Sequence, residues 1–137
     1  MLTVDAKRTA LMLVDMQNDF LHPKGAYGRA GQSCDAIAAL PPRLRQVADA
    51  VRAAGGLIVS THFTLVPGKD GNPLMSSHLK NLRPFLGKGD FVPGSFGQAL
   101  INDLQPADLT VQKVAFSAFV HSRLEWLLNK AGLDTLI

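Results

Sequence analysis

Three short apolar runs, Ala10–Val14, Gly56–Thr61 and Leu109–Val114, set the main constraint on this fold. The first two are nearly continuous in apolar residues rather than alternating with polar ones, and the third is read with them although Thr110, Gln112 and Lys113 interrupt it. Runs of that kind suit a parallel sheet covered on both faces, because a strand with one wet face would alternate. Between the first two runs, Leu40, Leu44, Val47, Ala48 and Val51 recur at three- and four-residue spacing, with Pro41 and Pro42 in the first turn and Gly55-Gly56 as the stop. That is an amphipathic helix, and strand, helix and strand together make a crossover unit. Ser95 is placed to cap a short helix running to about Leu104, and Leu124, Leu127, Leu128 and Ala131 mark another helix ended by Gly132. A fourth strand begins at Thr135 and reaches Leu136-Ile137, an apolar pair that reads as the start of a buried strand. The expected fold is α/β: a three-layer, doubly wound (Rossmann-like), mostly parallel sheet with helices on both faces, interrupted soon after the fourth strand starts.

Within this frame one residue is out of place. Lys113 lies inside the third apolar run, and a buried ammonium needs a partner. Asp15, directly after the first run, is the other charge in an equivalent position. At the carboxyl ends of parallel strands both would face the crevice where α/β proteins bind ligands. Asp15 and Lys113 therefore read as an active-site ion pair; the alternative is a buried pair kept for packing.

The chain of 137 residues is one domain, residues 1–137, burying roughly two thirds of its unfolded surface. No apolar stretch approaches the ~20 residues of a membrane span. The opening Met1-Leu2-Thr3-Val4-Asp5-Ala6 lacks a secretion signal, so a cytoplasmic protein is expected. The net charge of +3 is small, and Lys69, Lys80, Arg83 and Lys88 are scattered through loops, which reads as solvated charge rather than a nucleic-acid face. A single cysteine, Cys34, excludes an intrachain disulfide and any metal site of several thiolates; it reads as a structural or exposed thiol. From Phe63 to Gly94 nine prolines and glycines punctuate the chain and imply a long loop that shapes a binding site.

Ala10-Leu11-Met12-Leu13-Val14-Asp15-Met16-Gln17-Asn18-Asp19-Phe20 resembles the opening strand of the isochorismatase-like cysteine hydrolases. Pro93-Gly94-Ser95-Phe96-Gly97 is similar to that family's turn before a short helix. Lys113-Val114-Ala115-Phe116-Ser117-Ala118-Phe119 is similar to its lysine motif, and Leu124 through Ile137 to the helix and strand leading to its nucleophile. The resemblance implies hydrolysis of a linear carbon–nitrogen bond in a small ureido, carbamoyl or nicotinamide-like amide by an Asp-Lys-Cys triad. Carried over, the triad places Asp15 and Lys113 here and its cysteine beyond Ile137, in a longer parent protein, with loss or replacement of that cysteine as the alternative. It also implies a homo-oligomer with no cofactor. Two rival readings stay open: hydrolysis of a vinyl ether with the aspartate as acid and no thiol, and a metabolite-binding or subunit-interaction domain without catalysis.

Around these two residues, Phe20 and Phe119 are candidate pocket walls, with Tyr27 and Phe116 as further aromatic neighbours. Gln17 is close enough to Asp15 to orient it or a water, or to stabilise the loop. His62 is read as a pocket wall or a donor to substrate. Related nicotinamidases hold a metal with an aspartate where Ser60 stands here, and a lone imidazole is not a metal site, so none is expected. His22, His78 and His121 show no ligand spacing. Arg29 suits a substrate carboxylate, a bidentate task for guanidinium.

Overall fold

A computed structural model describes residues 3–137; Met1 and Leu2, the first of the residues read for a secretion signal, lie outside the described residues. Four strands, β1 (Thr9–Val14), β2 (Leu57–Phe63), β3 (Leu109–Lys113) and β4 (Thr135–Leu136), form one sheet in the order β3-β2-β1-β4. All three pairings are parallel. The helices are α1 (Asn18–Leu21), α2 (Ala26–Arg29), α3 (Asp35–Ala38), α4 (Leu40–Ala53), α5 (Ser77–Leu82) and α6 (Leu124–Lys130). None of them is long and apolar enough to cross a membrane.

Side chains alternate across the strands, and so the sheet carries two cores. Leu11 and Leu13 of β1 and Ile58 of β2 pack with Ala48 of α4 and with Leu100 and Leu104. Ala10, Val59 and Val111 pack on the opposite face with Leu124 and Leu128 of α6 and with Leu133. A third cluster, Ala26, Phe63, Leu65, Leu86 and Phe91, lies where β2 runs out of the sheet, and Phe20, Tyr27 and Phe85 pack against it. Helices thus cover both faces, and an aromatic cluster adjoins the carboxyl rim.

Three details depart from the sequence reading. First, the helix expected from Ser95 does not form, and only Asn102–Leu104 makes a single 3-10 turn. The Ser95 hydroxyl does accept from the Gln98 amide at 3.2 Å, but Leu100 is drawn into an antiparallel bridge with Gln17, which ends any helix there. Second, the long loop contains α5, capped by Ser76, whose hydroxyl accepts from the Leu79 amide. Pro84 lies just beyond the α5 C-cap Arg83, so prolines and glycines bracket this helix rather than interrupt it. Third, β2 extends through Phe63, so His62 belongs to the strand instead of following it.

Candidate active site

Register fixes the geometry of the rim. Val14 pairs with Thr61 and Phe63 pairs with Lys113, so the last residues of β1 and β3 flank the end of β2. Asp15, the next residue, has φ 57°, a left-handed conformation that costs most residues and that aspartate tolerates better than most. Its amide donates to the Thr61 carbonyl at 3.1 Å, and its own carbonyl accepts from the Gln17 amide at 2.8 Å. The chain turns out of the sheet at this residue, and its carboxylate is brought against β3.

Lys113 Nζ lies 2.8 Å from Asp15 Oδ2, with the lysine side chain 3% exposed and the aspartate 24% exposed. The ammonium also donates to the Phe116 carbonyl at 2.6 Å, and the Thr61 hydroxyl stands 3.4 Å from Asp15 Oδ1. The cation is buried and fixed by two acceptors, while the carboxylate is the member open to a ligand. That division suits an aspartate that exchanges protons and a lysine that orients it.

Two adjoining cavities open on Asp15, of about 220 and 400 Å³, and Phe20, Tyr27 and Arg83 line both with it. The smaller adds Lys113, Phe63, Leu79 and Phe116. The larger adds Cys34 and Ile37. Phe20 is set by tilted contacts with Tyr27 and Phe91 at centroid distances of 5.0 and 4.6 Å. Cys34 is exposed on the cavity wall.

The other residues singled out in the sequence are placed differently. Gln17 is fully buried: its amide nitrogen donates to the Phe63 and Gln98 carbonyls at 2.9 Å, and its oxygen accepts from the Phe63 amide at 2.7 Å. Its side chain is committed to backbone and holds the loop after β1 against the end of β2. His62 lines neither cavity, and its Nε2 shares a hydrogen bond with the Ser60 hydroxyl at 2.9 Å. Burial pushes the imidazole below its ordinary 6.5, with the charge of Asp15 acting in the opposite sense. Phe119 is 50% exposed and lies outside both cavities. Arg29 is occupied by Asp90, at 2.5 Å, and by the Lys24 carbonyl. Among the described residues no three His, Cys, Asp or Glu gather to hold a metal.

Two residues that organise the site had no role in the sequence reading. Asp19, 2% exposed, accepts from the Ala26 amide at 2.8 Å and the Phe91 amide at 2.6 Å, tying α2 and the aromatic cluster to the loop after β1. Arg83, read as solvated loop charge, is half-buried and lines both cavities. A second carboxylate four positions after Asp15, between Asn18 and Phe20, was the available signal for the first. Nothing local in the sequence marked the second.

Residues 9–137 match the profile of the isochorismatase domain. The chain belongs to the isochorismatase family. Among curated relatives, ureidoacrylate amidohydrolase RutB of Stutzerimonas stutzeri is 31% identical over 99% of this chain and 59% of its own length. RutB of Caulobacter vibrioides is 30% identical over 99% and 65%. The chain therefore spans about three fifths of the relatives it matches. Among solved structures, a cysteine hydrolase from Pseudomonas syringae pv. phaseolicola aligns with a TM-score of 0.77 at 22% identity, covering 99% of this chain and 60% of that one. N-carbamoylsarcosine amidase from Thermoplasma acidophilum gives 0.67 at 21% identity, covering 94% and 65%. These likenesses extend the family's α/β fold to the whole described chain, and membership makes this a domain of a hydrolase family.

Proposed function

We propose that the full-length protein hydrolyses the carbon–nitrogen bond of a small linear amide of the ureido or carbamoyl type, with Asp15 as acid and base and Lys113 as its electrostatic partner. The observation that carries this reading is the 2.8 Å contact between a buried ammonium and a partly open carboxylate at the mouth of an aromatic-walled cavity. A pair kept for packing alone would bring little return for its desolvation cost, because apolar replacements of such pairs are often neutral or stabilising. The relatives named for ureidoacrylate hydrolysis and the neighbour named for N-carbamoylsarcosine support the choice of bond.

In this mechanism the nucleophile is a cysteine C-terminal to Ile137. Asp15 takes the thiol proton, and Lys113 favours the thiolate over the thiol electrostatically. The sulfur adds to the amide carbon and the carbonyl π electrons move to oxygen, giving a tetrahedral oxyanion held by backbone N–H groups near the cysteine. As the oxyanion collapses, the carbon–nitrogen bond breaks and Asp15 returns its proton to the departing amine or ammonia. Water then loses a proton to Asp15 and adds to the thioester, which is a thiocarbamate where the substrate is a ureido compound. Collapse expels the sulfur, Asp15 returns the proton to it, and a carboxylic acid, or a carbamic acid from a ureido substrate, leaves. Phe20 supplies an apolar wall for the planar amide.

Ammonia release from a panel of ureido, carbamoyl and aryl amides by the full-length protein tests this reading, together with mass-spectrometric mapping of iodoacetamide labelling. The expected result is turnover of at least one ureido or carbamoyl compound and substrate-protected labelling of a cysteine other than Cys34. Failure to hydrolyse any amide, combined with cleavage of a vinyl ether such as isochorismate, would overturn it.

A further inference from the structure

Arg83 lines both cavities that open on Asp15, and the mechanism leaves it unused. Arg8, Arg29, Arg45 and Arg52 each pair with an aspartate, whereas Arg83, like Arg43 and Arg123, has no carboxylate partner among the described residues. It is nevertheless held in place, since Nε donates to the Tyr27 hydroxyl at 2.9 Å and Nη1 to the Leu82 carbonyl at 3.0 Å. Tyr27 is fixed in turn by its ring contacts, 5.0 Å to Phe20 and 5.0 Å edge-on to Phe85. Nη2 has no hydrogen-bond partner among the described residues. The result is a pre-oriented guanidinium with spare donors, on the wall of both cavities that contain Asp15 and also of a third that it shares with Asp70, Asn72 and Lys80.

Charge in the smaller cavity points the same way. Asp15 and Lys113 offset one another, and the remaining lining is apolar apart from Arg83 and the Tyr27 hydroxyl. One uncompensated cation therefore faces a small, largely apolar space in which an anion would be poorly screened. Guanidinium binds carboxylate through parallel N–H donors, and a charge-assisted pair of this kind commonly changes affinity by tenfold to a hundredfold.

Building on the hydrolase reading above, we propose that Arg83 is a specificity-determining residue that selects substrates bearing a carboxylate remote from the scissile amide. The amide carbonyl sits at Asp15, the connecting carbons lie along Phe20 and Phe63, and the carboxylate meets Arg83. The preferred substrate class is accordingly the short ureido or carbamoyl acid, with neutral amides of equal size disfavoured.

Two measurements on the full-length protein separate this proposal from the hydrolase reading. The first is calorimetric binding of levulinate against 5-methyl-2-hexanone, ketones of matched shape that lack a carbon–nitrogen bond. The unmodified protein should bind levulinate at least tenfold more tightly; Arg83→Gln should bring the ratio to within about threefold of unity, with Arg83→Lys between them. The second is kcat/KM for ammonia release from 3-ureidopropionate against n-butylurea, where the same loss of preference is expected mainly through KM. Equal binding of the two ketones by the unmodified protein, which requires no variant to fold, would overturn the proposal, as would a preference that survives Arg83→Gln. Turnover of amides without carboxylate preference sinks the Arg83 assignment and leaves the hydrolase reading standing. Carboxylate preference without any amide turnover supports the Arg83 subsite and removes the hydrolase.

Discussion

Gln17 shows how much of the site depends on residues that touch no ligand. Its three hydrogen bonds clamp the loop after β1 to Phe63 and Gln98. Gln17→Ala should lower stability by about 2–4 kcal/mol, because it strands a buried amide and two carbonyls without partners, and urea unfolding would measure the loss. His62 gives a pH dependence whose sign follows from burial. The imidazole is held neutral in the fold, with its affinity for protons below the ordinary 6.5, so the unfolded chain binds more protons as pH falls beneath that value. Stability contributed by neutral His62 is therefore present above about 6.5 and is lost as pH drops toward the lower folded value. Thermal midpoints measured from pH 5 to pH 8 should fall on acidification, and His62→Gln should flatten that slope; an unchanged slope would show that other groups cause it. At this scale the sequence was partly legible. Asp15 and Lys113 stood out because charge in an apolar run is costly, whereas Gln17 and Arg83 are polar residues in loops, and only tertiary contacts distinguish a clamp or a cavity wall from solvated surface.

The elements that carry the site are joined more by specific polar contacts than by long helices. Asp19 accepts amides from α2 and from Phe91, and Gly97 packs so closely on it that an added Cβ would lie 2.0 Å from Asp19 Oδ2. Gly97→Ala should displace that carboxylate and cost about 2–4 kcal/mol, visible as a lower thermal midpoint. On the opposite side, Leu124 is fully buried between α6 and the sheet, and Leu124→Ala should cost about 2–5 kcal/mol in the same measurement. The strands and the helices α4 and α6 were readable because hydrophobic periodicity sets them. The stretch after Ser95 was misread because its helical pattern competes with the bridge between Gln17 and Leu100, a partner 83 positions away that no local window contains. The helix α5 was hidden for the opposite reason: it is one short capped segment between turn residues, too brief to show a period.

Across the whole molecule, the parallel sheet creates a rim where residues from distant parts of the chain meet, and the loops after β1 and β2 close over it. Asp15 and Lys113 are 98 positions apart in sequence, yet their side chains meet at 2.8 Å. Strand order explains this encounter: β2 lies between β1 and β3, and its end supplies Thr61 and Phe63 beneath the ion pair. That architecture was legible from alternation of apolar runs and helical periods. The cavity itself was not, because its walls come from α5 and from Tyr27, whose positions depend on aromatic packing rather than on local pattern. The most direct test of the site is the rate of ammonia release from a ureido acid by full-length Asp15→Asn protein that retains its folded circular dichroism. If the carboxylate transfers the protons, the rate should fall by about 10²–10⁴-fold. A rate within about threefold of the unmodified protein would mean that the pair between β1 and β3 is structural and that the chemistry lies elsewhere.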